Sequence, residues 1–284
     1  MITNPQVSPR ILVTTDFSAA SERAFFHALA LTVRSEARLT LLHTRSDTSE
    51  SVPWDQFPGV RETLTKWQML PADTPRSAVG EKLNIGITKM VMRDDDPRQG
   101  IADYLRRHPV ELLIMATEGR NGLARFFDAS VAESVCHRTR SRTLLLPKSG
   151  QGFIDIEDGS SRLKRVLCAF DPDQDMRPNI AFLNHWLPMM ATQRVEVTLL
   201  HSDADPAVET IVLADSDGVH WQRSSGMGDA AKLLLDVVGE EPPDLLVVNT
   251  EPRLGLRGRM HGSRLDRLLK ATGCPVLTLP LIGS

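Results

Sequence analysis

Two stretches of this chain share one pattern, and the repetition limits the fold more than any other feature. From Glu111 to Pro147 (ELLIMATEGRNGLARFFDASVAESVCHRTRSRTLLLP) an apolar run, Leu112 to Met115, passes into a short glycine-containing loop. Phe126 to Cys136 then reads as a helix, and Thr143 to Leu146 is a second apolar run closed by Pro147. From Asp244 to Pro280 the pattern returns, with Leu245 to Val248 and Val276 to Leu279 as the apolar runs. A unit of strand, phosphate-sized loop, helix and strand that occurs twice predicts a tandem duplication.

The segments upstream agree. Arg10 to Thr15 (RILVTT) is apolar in the manner of a strand buried on both faces and ends at Asp16; Lys164 to Phe170 (KRVLCAF) repeats it and ends at Asp171. Ser18 can cap a helix from about Ala19 to Arg34, and Arg177 to Met190 is its counterpart. Leu39 to His43 and Val195 to His201 are second strands, each ending in histidine. Ile85 to Met92 and Val219 to Arg223 are third strands. Between Val60 and about Val79 a helical pattern is interrupted by Pro71 and Pro75, so a broken helix is expected. Asp94 to Asp96 before Pro97 mark another helix start, and Gly228 to Val238 reads as a helix in the second half. Asp16 and Asp171 are 155 positions apart, Ser130 and Ser263 only 133, so the second copy is shorter, the loss falling after its second strand.

Five strands per half with helices between them predict an α/β fold of two doubly wound, Rossmann-like parallel sheets, strand order 3-2-1-4-5. The expected division is 1–150 and 163–284, with 151–162, rich in glycine, serine and acidic residues, as the linker; its Phe153, Ile154 and Ile156 can pack on a neighbouring surface. Ligands of such sheets lie at the carboxyl ends of strands one and four, where the order reverses. Asp16 and Asp171, and the residues after Met115 and Val248, stand there. The last strands are apolar edges that invite pairing.

A formal charge of -3 argues against nucleic acid, and no apolar run approaches the roughly 20 residues that a membrane span requires. The three cysteines, far apart and two of them in or beside strands, read as buried thiols of a reducing compartment, so a cytoplasmic protein is expected. His43 and His201 join no metal-ligand cluster, and no Ser, His and Asp set is spaced for catalysis.

ILVTTDFSAASERA, GRNGLARFFDASVAESV and CPVLTLP together resemble the universal stress protein family, in two fused copies that cover nearly the whole chain. The resemblance implies ATP, ADP or AMP binding, with Mg2+ carried by the nucleotide, through an aspartate after strand one. It also implies a motif after strand four of glycine, two residues, glycine, nine residues, glycine and serine or threonine. In the first half this motif falls on Ala116, Gly119, Ala129 and Ser130, with Asp16 as the aspartate. In the second it falls on Asn249, Pro252, Gly262 and Ser263, with Asp171. Glycines let amides close around phosphate oxygens, whereas Pro252 removes an amide and Asn249 is bulkier; the first half is therefore the better nucleotide candidate. Arg120 and Arg125 flank the first loop, and Arg253, Arg257, Arg259 and Arg264 the second, where another anion could bind.

Three functions stay open at this stage: a nucleotide-sensing stress protein whose output is a contact with another protein, a nucleotide-independent partner-binding member, and a slow ATP hydrolase. Family members pair their last strands between subunits. A tandem chain can pair its own halves as an internal dimer, and a homodimer of whole chains is a further option.

Overall fold

The computed structural model describes residues 8–46, 52–117, 129–147, 150, 152–169, 175–202, 211–226, 234, 237–238, 242–250 and 273–280. The first half runs β1 (Arg10–Thr14), α1 (Ala19–Arg34), β2 (Arg38–Arg45), α2 (Val60–Lys66), a 3-10 turn (Arg76–Ala78), α3 (Val79–Leu83), β3 (Gly86–Arg93), α4 (Pro97–Arg107), β4 (Leu112–Ala116), α5 (Ala129–Thr139) and β5 (Thr143–Leu146). The second runs β6 (Arg165–Ala169), α6 (Arg177–Met190), β7 (Val195–Ser202), β8 (Val219–Gly226), β9 (Leu245–Thr250) and β10 (Val276–Pro280). Residues 234 and 237–238, inside the expected helix between β8 and β9, are helical.

Among the described residues ten strands form one continuous sheet, β3-β2-β1-β4-β5-β10-β9-β6-β7-β8. Each half has the expected order 3-2-1-4-5, with parallel neighbours, and the halves join where β5 meets β10 antiparallel, Leu145 opposite Val276 and Thr143 opposite Thr278. The internal pairing of last strands expected from their apolar edges is thus present. Thr143 and Thr278 are fully buried at this seam. The Thr278 hydroxyl lies 3.3 Å from the Thr143 carbonyl and 3.6 Å from the Cys136 sulfur, so the polar groups in the seam find partners.

Alternation along the strands divides the interior into two layers. Ile11 and Val13 face α1, whereas Leu12 faces the layer of α4 and α5. Ten of the sixteen residues of α1 are buried, too many for a helix covered on one side. Its other side is covered by α6 and by the segment between the halves, which Arg34 and His27 reach from α1. Arg142, before β5, places its guanidinium 4.4 Å from the Phe182 ring of α6, a cation–π contact between the halves.

The helix expected from Val60 to about Val79 breaks earlier and for longer than proline alone dictates. α2 stops at Lys66, Gln68 turns left-handed (φ 58°), and helix returns at the 3-10 turn after Pro75. Between β2 and β3 lie 40 residues, and between β7 and β8 lie 16.

The segment between the halves is an ordered strap. Phe153 and Ile154 are buried, as their apolar character suggests, while Ile156 is exposed and offers its carbonyl to the Trp67 indole N–H at 3.1 Å. Ile154 bridges Ser161, and Arg34 donates to the Gly159 carbonyl at 2.7 Å. Glycine is required at two points. Gly152 (φ 71°) and Gly159 (φ 72°) have left-handed backbones, and an added Cβ would lie 2.3 Å from the His27 Nε2 and 2.6 Å from the Trp67 ring.

His27 of α1 fastens this strap. Its Nδ1–H donates to the Arg23 carbonyl at 2.8 Å, and its Nε2 accepts the amides of Phe153 and Ile154 at 3.1 and 3.2 Å. Two donors at Nε2 require the neutral ring. Burial, chiefly, drives the His27 pKa down to about 4 from 6.5. Between those values the unfolded chain holds a proton that the folded chain does not, so stability falls as pH drops through that window, by about 3 kcal/mol in all. Urea denaturation at pH 6.5 and pH 4 should show this loss in the parent protein. In His27→Gln the loss should be smaller, the parent's advantage shrinking towards low pH; an equal loss in both would refute the neutral-ring arrangement.

Candidate ligand site

The sheet order reverses between β1 and β4, leaving a crevice at their carboxyl ends. Past β1 the chain turns sharply. The Thr15 amide donates to the Leu42 carbonyl, the Thr15 hydroxyl accepts from the Phe17 amide at 3.0 Å, and Phe17 itself is left-handed (φ 62°). The half-buried Asp16 orients this turn: its Oδ1 accepts from the Ser18 amide at 3.0 Å and the Ser18 hydroxyl at 2.5 Å. Ser18 in turn caps α1 by accepting from the Ser21 amide, as expected from its position. One short segment therefore both starts the helix and fixes a carboxylate at the crevice.

His43, near the end of β2, borders the same region. Its Nδ1–H donates to the Thr15 carbonyl at 2.8 Å. Burial holds its pKa below the usual histidine range, with the Thr15 carbonyl and the Asp16 carboxylate pulling the other way. The ring packs on Phe17, with centroids 4.7 Å apart, and Trp54 and Phe57 stand edge-on to Phe17 at 5.0 and 5.5 Å. Trp54 and Phe57 thus fold back within the first half, closing the β2 side of the turn. A non-glycine residue in the left-handed region is strained; here the ring contacts of Phe17 offset that cost.

Ala116 ends β4 beside Leu146 of β5, and its methyl lies in the core on the α1 side with 4% exposure. Thr117 follows, its amide donating to the Leu146 carbonyl at 3.0 Å. Ala129 and Ser130 are the first two residues of the eleven-residue α5, where backbone amides lack helical acceptors. Gly119 lies outside the described residues, as do Arg120 and Arg125.

In the second half Asn249 takes the place of Ala116, paired with Leu279 of β10 as Ala116 is with Leu146. Its amide is occupied: Nδ2 contacts the sulfur of the buried Met176 at 3.5 Å, and Oδ1 lies 3.4 Å from the Asn179 Nδ2. Met176 and Asn179, at the start of α6, had no distinguishing signal in the sequence; only the approach of α6 to β9 brings them to Asn249. Asp171, Pro252, Gly262, Ser263, Arg253, Arg257, Arg259 and Arg264 lie outside the described residues. No helix among the described residues is long and apolar enough to cross a membrane, and the three cysteines are buried and form no disulfide.

A model of the universal stress protein family matches residues 8–147 and 165–280. A universal stress protein of Mycobacterium tuberculosis (strain ATCC 25618 / H37Rv) is 30% identical over 148 residues, 51% of this chain and 47% of that one, so the chain spans about half the length of the curated relatives it matches. Two solved structures share the fold over nearly the whole chain. A universal stress protein from Archaeoglobus fulgidus DSM 4304 superposes with a TM-score of 0.55 at 17% identity, covering 96% of this chain and 98% of that one. A putative universal stress protein from Pseudomonas aeruginosa UCBPP-PA14 gives 0.58 at 14% identity, covering 97% and 94%.

The contacts of Asn249 carry a measurable consequence. Asn249→Ala strips partners from Met176 and from Asn179, which is 1% exposed, and should cost about 1–2 kcal/mol in urea denaturation. The Trp221 and Trp186 emission of the second half should follow the same shifted transition; an unchanged midpoint would show that the Asn249 amide carries no structural load.

Proposed function

The chain belongs to the universal stress protein family, and on that footing we propose that its first half binds an adenine nucleotide, ATP, ADP or AMP, in the crevice at the ends of β1 and β4. Occupancy is then signalled to another protein in the cytoplasm, with the segment between β4 and α5 as the responsive part.

The observation that carries this reading is the start of α5. Ala129 and Ser130 open a helix of three turns, so the last two motif positions supply amides whose direction and partial positive charge suit a phosphate. Across the reversal point, Asp16 offers a pre-oriented carboxylate suited to a ribose hydroxyl or to the cation that a nucleotide carries. Ala116 departs from the family's glycine, but its methyl lies in the core and takes little from the crevice. Gly119 is the glycine of the family motif that this half keeps in sequence.

Asn249 favours a different part for the second half. Its side chain is committed to Met176 and Asn179, which supports a scaffold half that presents surface to a partner without a nucleotide. Gly262, Ser263 and Asp171 keep an anion site open as a separate possibility there.

Mass spectrometry of what the purified protein releases on denaturation, together with calorimetric titration of ATP, ADP and AMP, tests the reading. Bound adenine nucleotide at a stoichiometry of about one per chain is expected. Asp16→Asn keeps the acceptor oxygen for Ser18 and hence the turn, but removes the charge. Its affinity should fall about tenfold with the urea midpoint within about 0.5 kcal/mol of the parent. No released nucleotide and no heat with any of the three would sink the proposal and leave the nucleotide-independent reading.

A further inference from the structure

The 40-residue connection between β2 and β3 builds a second concavity on the outer side of the first half, on the far side of the Trp54 and Phe57 pair that packs on Phe17. A cavity of about 890 Å3 lies against edge strand β3, bounded by Trp54, Arg61, Glu62, Arg76, Ile87 and Lys89, with the Asp55 carboxylate also in its lining. Its size suits a small organic ligand.

The lining has two characters. Trp54, Val60, Val79 and Ile87 give an apolar wall, and Trp54 is held edge-on to Phe17 and Phe57, which fixes the plane of its indole. Cations stand beside that wall. Lys89 places Nζ 5.0 Å from the centre of the indole ring, and Arg61 and Arg76 converge on one oxygen of Glu62, each at 3.0 Å. Glu62 is thereby saturated: its own amide, Arg76 and Arg61 hold its pKa at about 2. Partial burial, and after it the neighbouring Arg76 charge, lowers the pKa of Lys89, with Glu62 acting the other way.

Backbone economy keeps the cavity open. A Cβ on Gly59 would strike the Glu62 carboxylate at 2.1 Å, and one on Gly80 would come within 2.9 Å of the Ile85 carbonyl. Glycine at the first position lets Glu62 hold both arginines at the rim.

We propose that this cavity is a second ligand site, separate from the nucleotide crevice, for a small anion with a flat apolar body. The body lies against Trp54 and Ile87, and its carboxylate or phosphate meets Lys89 and the outer faces of Arg76 and Arg61. Lys89 discriminates for charge, and the indole discriminates for shape.

The test uses 1-naphthyl phosphate as probe, with neutral 1-naphthol beside it, titrated into the full chain by calorimetry and followed in 1H–15N spectra. Saturable binding of the phosphate is expected, at least about tenfold tighter than the naphthol, with shifts at the Trp54 indole, Gly59, Gly80 and Ile87 amides. Lys89→Met should weaken the phosphate about tenfold and leave the naphthol unchanged, with an unaltered urea midpoint because Lys89 is exposed on an edge strand. Asp16→Asn and saturating ADP should leave the probe's affinity unchanged. Equal binding of the phosphate by the parent and Lys89→Met, displacement by ADP, or no saturable binding up to millimolar probe would each overturn the proposal.

Discussion

The antiparallel pairing of β5 with β10 is the contact on which the rest depends. TLLL and VLTLP are buried throughout, with side chains on both faces of the sheet, so neither strand could end a sheet in water without exposing apolar surface and unpaired backbone. Placed against each other, they turn two edges into the centre of a ten-stranded sheet. Core layers that each half would otherwise close alone become continuous: Leu144 and Leu277 belong to one layer, Leu145 and Val276 to the other. The helices meet as a result, α1 against α6, and the strap between the halves lies over them, where His27 and Arg34 receive its backbone.

Duplication gives two equivalent frames, and the differences between them show which parts are free to change. The seam strands and the first strands keep their apolar character in both halves. The connection after the second strand does not: long in the first half, it supplies aromatic residues that close on Phe17 and a charged hollow beside β3, whereas in the second half it shrinks. At the end of the fourth strand an alanine in one frame faces an asparagine in the other. Ala116 buries its methyl in the core, while Asn249 spends its amide on Met176 and Asn179.

Much of the architecture was legible because buried parallel strands read as unbroken apolar runs, as in Leu112–Ala116, where all five residues are buried. The Asp16 turn was legible too, since a carboxylate two residues before a capping serine is local chemistry. Legibility failed where distant segments decide the outcome. β8 extends to Gly226 although its second part, RSSG, is polar and largely exposed, because backbone pairing with β7 continues past the apolar positions. His27 looks like one more core position of an apolar helix until the strap supplies two amides. The hollow beside β3 draws Trp54, Arg76 and Lys89 from three separate stretches, and nothing in any one of them announces the other two. Gly119, Asp171, Gly262 and Ser263 remain expectations from the family motif.

The direction of the seam has a geometric result. Strands run parallel within each half and antiparallel across β5 and β10, so the carboxyl ends of β1 and β4 emerge on the opposite border of the sheet from those of β6 and β9. The two reversal points therefore open to opposite poles of the molecule. A flat surface laid against one pole cannot reach the other, so each reversal point is approached from its own side.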